Sequence, residues 1–132
     1  MKRRGIREQL FKLLFRVEFN TPEQMPEQTK LYFDSGDLTV TEQDQAYLEA
    51  RLADIMDRLP QIDEQLSNKI EGWKLTRVGK VELALLRIAV YEILYDDEVP
   101  TGVAISEAVE LSKKYGPDNA ASFVNGVLAK FA

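Results

Sequence analysis

Six cationic side chains crowd the first sixteen positions, Lys2, Arg3, Arg4, Arg7, Lys12 and Arg16, against a single acid, Glu8. Guanidinium groups grip phosphate through paired hydrogen bonds and present a flat face on which an unpaired base can stack, so this segment has the chemistry to hold a nucleic acid. The rest of the chain carries the opposite sign, with 11 basic and 21 acidic residues for a net −10 within a formal total of −5. A basic leader on an acidic body allows local contact with phosphate while overall repulsion limits binding elsewhere. A solvated, charged helix start would have the same composition, and charge alone leaves both readings open.

Other chemistries are narrowed by what the sequence lacks. It contains no histidine and no cysteine, which excludes disulfides, thiol nucleophiles, zinc sites built from those ligands and every histidine-based triad. Carboxylates are abundant, but no pair of them is singled out. The acidic run Asp96-Asp97-Glu98 lacks the spacing of a calcium-binding loop and reads as a solvated connection. None of the seven glycines forms a phosphate-cradling loop between a strand and a helix. No catalytic residue, metal ligand or cofactor is therefore expected, and no enzyme activity. No apolar run approaches the roughly 20 residues of a membrane span, and the first residues lack the apolar middle of a secretory signal. The expected compartment is the cytoplasm, away from any membrane.

The elements that must position the basic cluster are helical. With 132 residues, 45% of them hydrophobic and 30% charged, the chain suits one globular domain spanning 1–132. From Arg3 to about Phe19, Ile6, Leu10, Leu13 and Val17 recur at helical spacing with Phe11, Leu14 and Phe15 beside them. Arg4, Glu8 and Lys12 follow one another at i, i+4 intervals, a mutually supporting pattern. Asn20-Thr21-Pro22 ends this helix, and a short second helix is expected from about Pro26 to Phe33. Asp34-Ser35-Gly36-Asp37 reads as a turn, and Thr41 with Asp44 resembles a helix cap. Leu48, Leu52, Ile55, Met56 and Leu59 then line a third helix. Pro60 fits the first turn of a fourth, with Ile62, Leu66 and Ile70 on one face. Gly72 opens a connector running through Trp73 to Gly79.

From Lys80 to Tyr95 the chain is apolar almost all round, and Glu82, Arg87 and Glu92 are spread about the helical circumference. Such a helix belongs at the centre of a fold, where Arg87 or Glu92 must find a partner or reach water. A further helix is expected from Val103 to Tyr115, stopped by Gly116-Pro117. In the last helix Asp118 or Asn119 stands at the cap, and Phe123, Val124, Val127, Leu128 and Phe131 face inward. Only Leu38-Thr39-Val40 alternates at strand period. The fold class is all-α.

Several blocks occur in an order and spacing that resemble the NusB family. The opening Arg3-Arg4, Arg7-Glu8 and Leu14-Phe15 is similar to the family's start. More specific are Gly79-Lys80-Val81-Glu82, the run Leu85 to Ile93, Val99-Pro100, the run Val103 to Gly116, and Phe123-Val124-Asn125-Gly126-Val127-Leu128. The resemblance covers essentially the whole chain, strongly from about Trp73 onward and loosely over 20–72. Three features depart from the pattern. Lys12 stands where glutamine is common, a change that bears on RNA contact. Ser106 replaces the usual asparagine, and no basic tail follows Ala132.

The resemblance implies about seven helices in two small subbundles. It also implies a bacterial transcription antitermination factor that binds the boxA element of nascent ribosomal RNA, a single-stranded RNA. Binding would be as a heterodimer with the ribosomal protein NusE, and the pair would join the antitermination complex on RNA polymerase. Carried onto matching positions, Lys2, Arg3, Arg4, Arg7, Asn119 and Phe123 are the RNA-facing candidates, although Phe123 also fits an apolar core stripe. Trp73 and Glu82 are the candidates for the protein partner. Family members occur as monomers and dimers, so a homodimer stays open. Two other readings remain: a helical protein-interaction module without direct RNA contact, and a piece of an RNA methyltransferase bearing a NusB-like domain. The second conflicts with the expectation that no cofactor-binding domain follows Ala132.

Overall fold

The computed structural model describes residues 2–35, 40–70 and 74–132. Seven α-helices occupy them: α1 Arg3–Phe15, α2 Met25–Asp34, α3 Glu42–Asp57, α4 Leu59–Lys69, α5 Lys80–Tyr95, α6 Thr101–Tyr115 and α7 Ala120–Ala129. No strand occurs among the described residues, and the fold is all-α as the periodicity requires. Leu38 and Thr39, two members of the alternating triplet, and the connector residue Trp73 lie outside the described residues. The chain divides into two compact units, Met1–Met56 and Asp57–Ala132. Among the described residues no helix is long and apolar enough to cross a membrane.

In the first unit α1 buries Leu10, Phe11, Leu13 and Leu14, α2 buries Met25, and α3 buries Leu48, Leu52 and Ile55. The sequence leads one to expect α1 to run on to Phe19, but its α-helical ladder stops at Phe15 and tightens into a 3-10 turn, Arg16–Glu18. The cause is local. The Asn20 side-chain amide donates to the Arg16 carbonyl at 2.8 Å, the acceptor that its own backbone N–H would use in a continuing helix. Arg16 is then fixed against α2, donating to Gln28 Oε1 at 2.9 Å with its guanidinium 5.2 Å from the Tyr32 ring centroid. Tyr32 also bonds to Gln9 of α1 through its hydroxyl. The α3 start is capped as the Thr41/Asp44 spacing implies, the Asp44 amide donating to Thr41 Oγ1 at 3.0 Å.

The second unit is organised around α5, which packs against α4, α6 and α7. It buries residues on every side, Leu83, Ala84, Leu85, Leu86, Ile88, Ala89, Val90, Tyr91 and Glu92. Ala104 and Ala108 of α6 are buried too, and side chains this small let two helices approach closely. Arg87 finds the partner that its place in an apolar helix demands. Its Nε and Nη2 each donate to one Asp63 carboxylate oxygen at 2.9 Å, in a two-pronged bond between α5 and α4. Among the described residues no buried side-chain nitrogen or oxygen lacks a hydrogen-bond partner. Lys130, just past α7, donates to the carbonyl of Lys69 at 2.8 Å and so satisfies an open acceptor at the end of α4.

Candidate nucleic-acid interface

Lys2 is the N-cap residue of α1, with extended backbone (φ −72°, ψ 158°) and no side-chain hydrogen bond to the helix start. Arg3 and Arg4 follow in the first turn, which contains no acidic residue. All three side chains are exposed. This is the reverse of what helix stability favours. A helix start carries partial positive charge, so each cation there costs a few tenths to about 1 kcal/mol, and a Ser, Thr, Asp or Asn cap would typically add about 1 kcal/mol of stability. Three exposed cations and several backbone N–H groups thus meet at one end of one helix, a concentration of positive potential that an anion would relieve.

Arg7 differs from its neighbours. It is only 9% exposed and is one of few buried polar residues among those described. The cause is its spacing: Leu10, Phe11 and Leu14, at i+3, i+4 and i+7, are all buried, so Arg7 belongs to the packed side of α1.

Asn119 and Phe123 belong to the second unit. Asn119 is the N-cap residue of α7, as its position before the apolar stripe implies, but its side chain makes no capping bond. Its backbone (φ −93°, ψ 0°) lies outside the extended region from which such a bond is usually made. Asn119 and the preceding Asp118 are exposed, whereas Phe123, one turn on, is half-buried. The approach to α7 is set by Gly116, the C-cap residue of α6. A Cβ there would stand 2.6 Å from Ala120 Cβ and 2.9 Å from the Ser112 carbonyl oxygen, so only glycine allows the last turn of α6 to abut the first of α7.

A model of the NusB family matches residues 4–132. The chain belongs to the NusB family. A relative from Lachnoclostridium phytofermentans named transcription antitermination protein NusB is 54% identical over 130 residues, covering 98% of each chain. One of the same name from Agathobacter rectalis is 47% identical over 133 positions, covering 100% of both. Among solved structures, T. maritima NusB is similar with a TM-score of 0.87 and 33% identity, over 100% of this chain and 91% of that one. A chain in a crystal structure of a plectonemic RNA supercoil is similar with a TM-score of 0.82 and 25% identity, over 98% and 92% of the two chains.

Within this NusB-family chain, Glu82 is the acidic residue in the first turn of α5 and is half-exposed. Its carboxylate folds back over Gly79, the N-cap residue of the same helix. Glu82 stands three residues after Gly79, the spacing at which a glutamate side chain turns back on the helix start.

Proposed function

We propose that this chain is a non-catalytic transcription antitermination factor, acting in the bacterial cytoplasm as one NusB-like domain over residues 1–132. In this reading it binds boxA-type single-stranded RNA as a heterodimer with the ribosomal protein NusE and joins the antitermination complex on RNA polymerase. The observation that carries the RNA reading is the exposed, uncapped group of Lys2, Arg3 and Arg4 at the amino end of α1. Such a cluster is locally unfavourable for the helix and becomes favourable when phosphate oxygens take up its donors.

The RNA candidates divide by exposure. Lys2, Arg3 and Arg4 contact the backbone, while Arg7 contributes mainly the potential of its charge from the packed side of the helix. Asn119 offers both a donor and an acceptor to a base edge, backed by the amides at the start of α7. Phe123, half-buried, offers a base only part of its ring. Glu82 and Trp73 serve the protein partner, and the net −10 of the body steers a basic ribosomal protein toward it.

A gel-shift titration of boxA-like and scrambled RNAs, each with and without NusE, tests the proposal. The expected result is selective retardation of boxA-like RNA, strengthened by NusE. A stable complex with NusE to which neither RNA adds would instead establish a helical interaction module.

A further inference from the structure

The contact between Gly79 and Glu82 points to a residue whose lack of a side chain serves partner binding. The backbone of Gly79 (φ −56°, ψ 146°) is one that any amino acid can adopt, so conformational freedom does not explain the glycine. Space does. A Cβ built on Gly79 would lie 2.8 Å from both Cδ and Oε1 of Glu82 and would overlap Oε2. The carboxylate occupies the volume that any side chain at position 79 would take, beside the positive end of α5.

We propose that Gly79 is a positioning residue for Glu82, keeping its carboxylate seated at the start of α5 as a ready-made acceptor for a cationic side chain of the basic partner. This rests on the reading of Glu82 as a partner contact. A free glutamate samples many rotamers and loses that freedom when it is captured. One whose carboxylate already lies over Gly79, favoured there by the helix dipole and unobstructed by a side chain, loses less, so more of its interaction appears as affinity. The half-exposure of Glu82 leaves it within reach of a docking protein. With alanine at position 79 the carboxylate must swing away. The fold tolerates this, because the obstructed atoms are the far end of a flexible side chain.

The test is a double-mutant cycle on the full chain, titrated calorimetrically with NusE. Circular dichroism confirms that each variant is folded. Glu82→Ala is expected to weaken binding roughly tenfold, the scale of one charge-assisted hydrogen bond. Gly79→Ala should weaken it about threefold to fivefold, and should change nothing further in the Glu82→Ala background, where there is no carboxylate to displace. A merely structural role for Gly79 would weaken binding equally in both backgrounds and overturn the proposal. Full affinity in Gly79→Ala, with Glu82→Ala impaired, would also overturn it. Unchanged binding in Glu82→Ala would refute the partner contact itself, and the positioning role with it.

Discussion

Asp63→Ala removes the acceptor of both Arg87 hydrogen bonds and leaves a guanidinium whose side chain is only 11% exposed without its counter-ion. Removing one partner of a fully buried pair costs about 3–5 kcal/mol, because the remaining charge is stranded away from water. One feature of this pair reduces that figure: the Asp63 side chain is 29% exposed, so solvent already screens part of the attraction. A loss of about 2–3 kcal/mol follows, which for a chain of this size lowers the melting temperature by roughly 6–15 °C. Urea denaturation followed by far-UV circular dichroism gives the free energy directly. The Arg87→Met/Asp63→Ala double variant supplies the control: with both charges gone, it should lose less than the sum of the two single losses by at least about 1 kcal/mol. If Asp63→Ala unfolds within about 0.5 kcal/mol of the parent, in the range of an ordinary surface change, the pair does not hold α4 to α5 as argued.

Three smaller changes probe the helix ends and glycines. Thr41→Ala removes the oxygen that accepts the Asp44 amide and should cost about 1 kcal/mol in a urea titration. Gly126→Ala, at a position within α7 where a Cβ meets nothing within 4 Å, should raise stability by about 0.5–1 kcal/mol in the same assay. Gly116→Ala should do the opposite, losing about 1–3 kcal/mol, because its Cβ would press against Ala120 and the Ser112 backbone. The opposite signs of two glycine-to-alanine changes distinguish a packing requirement from a general preference.

What could be read from the sequence follows from which forces are local. The all-round apolar character of α5 and the isolation of Arg87 within it told where the helix lies and that its charge needs a partner. They could not tell which acid answers, because Asp63 is 24 positions away and reached only through packing. The Thr41 cap and the Pro60 start were legible because capping and proline geometry act within one turn. The end of α1 at Phe15 falls short of the Phe19 that periodicity predicts, since it depends on the Asn20 amide taking the Arg16 carbonyl in place of the helix ladder. For the candidate interface, the charge cluster was plain in the composition, but its division into exposed Lys2, Arg3 and Arg4 and buried Arg7 came from the apolar spacing around Arg7. The spacing of Glu82 three residues after Gly79 signals a side chain that turns back on the helix start, but the room that the glycine leaves for it emerges only from the folded backbone.

In the proposed function the cations at the amino end of α1 hold RNA phosphate, and the salt dependence of RNA affinity reports how many of them do so. Each phosphate contact on a single strand contributes about 0.7 to the slope of log affinity against log salt, so replacing Lys2, Arg3 and Arg4 together by alanine should flatten that slope by about 2. Circular dichroism of the variant should remain that of the parent, since all three side chains are exposed. A variant that binds boxA-like RNA with the parent's slope would refute phosphate contact by these cations and place the RNA on another surface.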